Sequence, residues 1–437
     1  MFRLTDDLQE RSEHVATLIF DGPQSCLVEE LFATGIKCTK CGAEYPLSEA
    51  ISVCSKCQGL LDVQYDYGRM QEKFQKQELA GSALGLWRYA KALPVEHRFV
   101  VSLGEGFTPL LPAQRLGGNM NLMLKLDHVN PSGSFKDRGS TISISKAKEL
   151  GKREVAIDST GNAAASLSAY AAKSNMKCFV FIPSYTEAEK VVQISSSGAI
   201  VVSVKGTRQD VHDLIEEAYR KFGWYYCGFM VSPYAIEGTK TIAYEICEQL
   251  HWSPPDWVIF PVGTGSGIVG CYKGLKELVR IGWITKMPKL VCIQPKTCAP
   301  IAQAFLDGKS EIVPVQRPET VAEGLAVGNP PKGGLVLEAI RKSGGLAQTV
   351  GDDEILQASR ELIVREGQFV EVSAAASVAG AMKLLDEGTI DRKERVVCEL
   401  TGTGLKSIKE YEKMVSSPYV VDPTLGSLEE ALRKQVA

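Results

Sequence analysis

The chain has no apolar run approaching the roughly 18 residues needed to span a bilayer, and no internal repeat or low-complexity tract. A transmembrane helix, a solenoid and a disordered tail are therefore not expected. Charge of one sign is also scarce: the formal net charge of -3 over 437 residues gives no global attraction to nucleic acid or an anionic membrane. Twelve cysteines are too few to staple a chain of this length. The five histidines (His14, His97, His128, His212, His251) are dispersed without metal-ligand spacing, and of these His128 is the nearest to the lysine motif described below. Asp6, Asp7 and Glu10 disfavour a secretory or transit peptide over the first residues, so a cytoplasmic location is expected.

What is present is an α/β rhythm. After residues 1–33, loosely helical and without recognisable chemistry, residues 34–68 run through paired cysteines and short strand-like pieces. A polar helix-prone connector follows over Gly68 to Ala80. Beyond about Leu110, apolar runs at Glu154–Asp158, Cys178–Ile182, Ile200–Val204, Trp257–Val262, Lys289–Gln294 and Val396–Leu400 predict strands. Between them, Ala163–Lys173, Asp210–Lys221 and Glu237–His251 predict helices. Alternation of this kind predicts parallel sheets covered by helices on both faces. Ligands should then sit beyond the carboxyl ends of the strands.

Cys38-x-x-Cys41 and Cys54-x-x-Cys57 are separated by 12 residues, a spacing that places four thiolates around one zinc ion with no open position. Gly42 to Val53 contains two glutamates, one aromatic residue and neither Lys nor Arg, which argues against a nucleic-acid surface. A structural staple or docking module is expected. The other cysteines, Cys227 and Cys271 among them, suit buried packing.

The central signal is Asn130-Pro-Ser-Gly-Ser-Phe135-Lys136-Asp-Arg138-Gly139. A lysine can condense with an aldehyde cofactor if its amine is not locked as a solvated ammonium. Three strand-end loops strengthen that reading. Ser159-Thr160-Gly161-Asn162 offers hydroxyls and free N–H groups at a helix start for a carboxylate, although an ordinary cap has the same composition. Gly263-Thr264-Gly265-Ser266-Gly267 suits a phosphate. With Gly270 it also matches G-x-G-x-x-G, but the next strand ends at Gln294, not at the acid a dinucleotide site requires. Thr401-Gly402-Thr403-Gly404 puts a neutral hydroxyl where a pyridine nitrogen could face it.

As a set, these motifs resemble the threonine synthase family of fold-type II pyridoxal-phosphate enzymes. Gly104-Glu-Gly-x-Thr-Pro-Leu110, Glu237-Gly238-x-Lys240-Thr241, Glu371-x-Ser373-Ala-Ala375 and Thr401-Gly-x-Gly-Leu-Lys406 extend the likeness, and the ribbon shares in it. The resemblance implies a two-domain, tryptophan synthase β-like fold over residues 69–437, with a smaller subdomain at roughly 139–245 and a zinc-ribbon module at 34–68. It implies that Lys136 carries pyridoxal 5'-phosphate as a Schiff base, with Phe135 beside the ring and Asn162 on the phenolate oxygen. Gly263, Thr264, Gly265, Ser266 and Gly267 would hold the phosphate and Thr401 would meet the pyridine nitrogen. Ser159 and Thr160 would bind the carboxylate of an amino-acid substrate, and Cys38, Cys41, Cys54 and Cys57 a structural zinc. The family reaction converts O-phosphohomoserine and water to threonine and phosphate, and a homodimer is expected.

The chain departs from that pattern where substrate phosphate should bind. Ala235 stands at the usual arginine of Asn-Pro-x-Arg-x-Glu-Gly, Gly267 at a usual asparagine, and Ala322–Val327 lacks a further arginine. Either another cation (Lys240, Arg138 or one on the ribbon) replaces the lost charge, or the enzyme performs β-elimination or β-replacement on serine, threonine or a relative. The second case would make it dehydratase-like or cysteate synthase-like.

Overall fold

The computed structural model describes residues 31–118 and 120–436. Most of the N-terminal extension falls outside the described residues. Strands β1 (Ala33–Cys38), β2 (Glu44–Tyr45) and β3 (Leu61–Tyr65) form a small antiparallel sheet in the order β2-β1-β3. Alternation along β3 buries Leu61, Val63 and Tyr65, which face the rest of the molecule. The Gly68–Ala80 connector contains a helix, Tyr67–Lys73, capped by the Asp66 carboxylate on the Arg69 N–H.

Two further sheets frame the site. The larger contains β4 (Leu110–Pro112), β5 (Asn121–Lys125), β10 (Trp257–Pro261), β11 (Lys289–Pro295), β12 (Leu346–Val350) and β13 (Arg395–Glu399), in the order β12-β11-β10-β13-β5-β4. The smaller contains β6 (Glu154–Asp158), β7 (Lys177–Pro183), β8 (Ile200–Val204) and β9 (Tyr225–Tyr226), all parallel, in the order β8-β7-β6-β9. The parallel expectation fails at one edge, where β4 pairs antiparallel with β5. The short connection through Gln114–Gly117 leaves no room for the crossover that parallel pairing needs. The predicted helix Glu237–His251 is two helices, Pro233–Thr239 and Thr241–Gln249.

The helix Lys136–Glu149 is the centre of the molecule. Asp137 to Ala147 are all buried, although the sequence KDRGSTISISKAKE is polar. Burial is tolerated because the polar groups are partnered. Thr141 donates to the Val101 carbonyl (2.7 Å), the Val101 N–H donates to Ser145 (2.9 Å), and Ser166 donates to Ser140 (2.6 Å). The helix Pro233–Thr239 crosses it at backbone distance: a Cβ on Gly238 would lie 1.7 Å from the Arg138 carbonyl oxygen. Gly238→Ala is therefore expected to cost about 3 kcal/mol, at the upper end for overpacking, in a denaturant melt.

Arg138 anchors the same crossing. Its Nε and Nη2 donate to the two Asp127 oxygens, both at 2.7 Å, and Nη2 also donates to Glu245 (2.7 Å). Lys125 completes the cluster on Glu245 at 2.7 Å. Burial opposes ionisation of Asp127, but the guanidinium overrides it and holds the carboxyl well below its usual range. Neighbouring Glu399 is pushed far upward by burial and by the Asp127 charge. Glu399→Gln should thus shift stability by less than about 1 kcal/mol in a melt. Arg138→Met, which leaves buried Asp127 without its ion-pair partner and Glu245 with Lys125 alone, should cost about 3–5 kcal/mol.

Candidate active site

Lys136 begins the central helix, directly after a segment tied to the end of β13. The Phe135 N–H donates to the Thr401 carbonyl (2.9 Å), and the Thr403 N–H donates to the Gly133 carbonyl (2.9 Å). These bonds fix the amine against the Gly263–Gly267 loop, where Nζ donates to Ser266 Oγ at 3.1 Å. Two rings enclose it, Phe135 at 4.5 Å and Phe229 at 5.1 Å from ring centroid to Nζ. This desolvation pushes the amine down to about 8, against the opposing pull of the Glu371 carboxylate. An amine so placed exchanges a proton near neutral pH.

Glu371 stands in a motif of the sequence that carried no assigned role. Asn162 Nδ2 donates to its Oε2 (2.9 Å) and Thr401 Oγ1 to its Oε1 (3.4 Å), so one carboxylate joins two expected cofactor contacts. Burial raises the pKa of this carboxyl. Gly402 is required by closeness, since a Cβ there would lie 2.4 Å from the Glu371 Cδ. Ser159 and Thr160 lie half-buried between β6 and the helix Asn162–Lys173, and Ser159 Oγ accepts the Gly161 N–H at 3.3 Å. Just before them, Asp158 accepts from Tyr226 and pairs with His212 at 2.8 Å. His128 is buried in the turn Asp127–Val129, with Nδ1 unpartnered among the described residues. Cys227 and Cys271 are fully buried.

The Gly263–Gly267 loop keeps its backbone bare. A Cβ on Gly263 would meet the Gly324 carbonyl at 2.6 Å, and one on Gly265, whose φ is +91°, would meet Val336 Cγ2 at 2.5 Å. Among the described residues, no protein acceptor takes the N–H of Gly263, Thr264 or Gly265. Donors without acceptors at the start of the helix Ser266–Arg280 fit a phosphate. Gly267 packs between Phe260 and Phe135, where an added Cβ would already lie 3.3 Å from Phe260 Cδ1.

Residues 101–402 match the family model described as "Pyridoxal-phosphate dependent enzyme". The threonine synthase of Methanocaldococcus jannaschii is 41% identical over 91% of this chain and 99% of its own length. The chain belongs to the threonine synthase family of pyridoxal-phosphate dependent enzymes. The Methanosarcina acetivorans threonine synthase is 42% identical, over 91% of this chain and 98% of its own. The fold is also that of the processed threonine deaminase isoform 2 from Solanum lycopersicum, with a TM-score of 0.64, 22% identity and coverage of 76% of this chain and 94% of that one. Maize serine racemase shares it at a TM-score of 0.61 and 22% identity, over 81% of this chain and 98% of that one. Pyridoxal phosphate is accordingly the cofactor of this family member, and the two parallel-sheet layers carry the fold-type II architecture.

Of the three expected replacements for the missing arginine (Arg138, Lys240 or a cation on the ribbon), the geometry removes the first two. Arg138 is locked in its carboxylate cluster. Lys240 is fully buried between Glu237 (2.8 Å) and Glu277 (2.9 Å), over the Tyr65 ring at 3.9 Å. Tyr65 Oη donates to Glu237 (2.6 Å), and Lys273 bridges Glu237 and Asp62. The Glu-Gly-x-Lys motif therefore docks the cysteine-bearing sheet and has no charge to spare for substrate. Ala235 is fully buried and supplies none.

The four cysteines converge: their Sγ atoms all lie within 4.8 Å of one another. Cys38 and Cys57 are 3.5 Å apart, Cys41 and Cys54 3.6 Å. Gly59 makes room for them, because a Cβ there would lie 3.0 Å from Cys38 Sγ. Among the described residues, no helix is long and apolar enough to cross a membrane.

Proposed function

We propose that the protein is a threonine synthase, converting O-phosphohomoserine and water to threonine and phosphate. The observation that carries this is the partly desolvated Lys136, bonded to Ser266 beside the bare glycine loop and within the electrostatic reach of the Glu371 carboxylate. Support comes from threonine synthases that match nearly the whole chain. Bound pyridoxal phosphate supplies an electron sink for carbanion chemistry next to the substrate nitrogen. Lys136 Nζ holds the cofactor and afterwards takes and returns protons at the substrate carbons, as phosphate leaves the γ-carbon and water adds at the β-carbon. Asn162 and Thr401 orient the ring edge and the ring nitrogen. Glu371, already bonded to both side chains, fixes their direction. Gly263 to Gly267 receive the cofactor phosphate, Phe135 and Phe229 exclude water, and Ser159 and Thr160 take the substrate carboxylate.

Ala235 favours a second reading, β-elimination on serine or threonine. Product analysis with O-phosphohomoserine, serine and threonine separates the two. Threonine with equimolar phosphate supports the synthase, while a 2-oxo acid with ammonia and no threonine overturns it.

The cysteine quartet completes the proposal as a structural zinc site, closed by four thiolates and without an open position. Elemental analysis is expected to give about one zinc per chain. Cys41→Ser should lower both zinc content and melting temperature, because the metal's binding energy is part of the folding energy of the small sheet. A metal-free protein with an unchanged melt would refute the assignment.

A further inference from the structure

Five lysines are buried among the described residues: Lys125, Lys146, Lys240, Lys273 and Lys332. Four of them meet a carboxylate, respectively Glu245, Glu149, Glu237 and again Glu237. Lys332 alone has no acidic partner among the described residues, although it is only 2% exposed. Its Nζ donates to the carbonyls of Phe229 (2.8 Å) and Met230. An ammonium carries three donors, so one N–H remains without a protein acceptor. An unpaired buried cation is costly, and other proteins avoid it by pairing or by deprotonation.

The position of Lys332 explains why it is kept. Its stem lies against the glycine loop, with Cβ 3.5 Å from where a Gly265 Cβ would stand. The turn that holds its amine carries Phe229, whose ring covers Lys136 Nζ. That turn leads into the helix containing Ala235, so on this side of the site the cation comes from residue 332. Burial pushes the amine down to about 7, and the nearby Lys136 charge adds to the fall. Lys332, without an acid of its own, and the bare N–H groups of the loop leave donors for an anion.

We propose that Lys332 is the cation that binds a phosphate ester dianion beside the Gly263–Gly267 loop, on the cofactor or on the substrate. The inference deepens the reading above and rests on its assignment of that loop as a phosphate cradle. A charge-assisted bond of this kind corresponds to about ten- to hundred-fold in affinity.

The test uses the full-length holoprotein and the variants Lys332→Met and Lys332→Gln, with folding checked by circular dichroism. Cofactor retention is measured by absorbance during dialysis, and inorganic phosphate binding by calorimetry. If the cation serves the cofactor, pyridoxal phosphate is released at about ten- to hundred-fold lower concentrations of competing buffer exchange. If it serves the substrate, retention is unchanged, while inorganic phosphate and KM for O-phosphohomoserine both weaken by that factor. Unchanged retention together with unchanged phosphate affinity overturns the proposal. Should both variants unfold, sulfate titration of the wild type from about pH 6 to about pH 9 decides. Sulfate stays a dianion throughout, so its affinity must fall as Lys332 loses its proton, and pH-independent affinity overturns the proposal. A wild type that binds phosphate through Lys332 yet leaves O-phosphohomoserine untouched would refute the synthase reading alone. Turnover with no effect at Lys332 would refute this inference alone.

Discussion

Lys136→Ala is expected to lose the visible absorption of the bound cofactor and at least about 10³-fold in turnover, the scale of a lost acid–base group. Removing the amine deletes the covalent attachment and the proton carrier together. It removes one bond to Ser266 but leaves the packing of Gly263 and Gly265 against Gly324 and Val336 in place. Residual, non-covalent cofactor binding is therefore expected in fluorescence titrations. The wild-type amine adds a pH signature. Desolvation places it near 8, so the neutral nucleophile gains population as pH rises through that value, and recombination with added cofactor should accelerate over the same range. A Lys136→Ala protein that keeps the band would remove the basis of the site assignment. Recombination independent of pH would count against the desolvated amine.

Glu237→Ala is expected to destabilise the protein by about 3–5 kcal/mol, the cost of removing one partner from a buried ionic cluster. The carboxylate joins Lys240, Lys273 and Tyr65, so its loss leaves Lys240 with Glu277 alone, Lys273 with Asp62 alone and the phenol without its acceptor, at the seam between the small sheet and the main body. Replacing a pair by apolar groups is far less costly. The double variant Glu237→Leu with Lys240→Met should accordingly recover part of the loss, and its non-additivity in a melt measures the coupling. The pH dependence has a definite sign. Burial opposes ionisation of Glu237, but the two lysines hold its pKa below the usual carboxylate value. Its contribution is therefore present above an unfolded pKa of about 4.3 and is lost as pH falls through the lower folded value. A Glu237→Ala protein that melts like wild type would show that the motif does not fasten the sheet.

The half-exposed pair of His212 with Asp158 behaves in the opposite sense. The hydrogen bond to Asp158 raises the imidazole above its ordinary 6.5, so its small stabilisation is present below that value and fades as pH rises through the folded one.

Much of the site was legible because its signals are local. Gly263 to Gly267 follows an apolar run and opens a helix, so chain order alone joins strand end, loop and helix start. The lysine motif and Ser159 to Asn162 have the same form. The cysteine quartet depends on a knuckle spacing that survives any global arrangement. Other elements carried weaker signals. β5 and β12 are short and mixed in composition, and β9 has two residues, so their pairing comes from neighbours distant in sequence. The helical pattern is divided at Lys240, beside Gly238 and Gly274, where other backbones approach closely.

By itself, the sequence determined the α/β alternation, the lysine motif, the glycine-rich strand-end loop and the cysteine cluster, since each is written in side-chain type and short spacing. Only the tertiary structure decided which charges are free. Arg138 and Lys240 look available in the sequence but are consumed by Asp127, Glu245, Glu237 and Glu277. Lys332 lies in no motif of the sequence, yet it is buried beside the glycine loop without an acidic partner among the described residues. Glu371 joins Asn162 across 209 positions. The physical reason is that the state of an ionic group depends on burial and on partners a few ångströms away, and neither leaves a periodic trace in the local sequence.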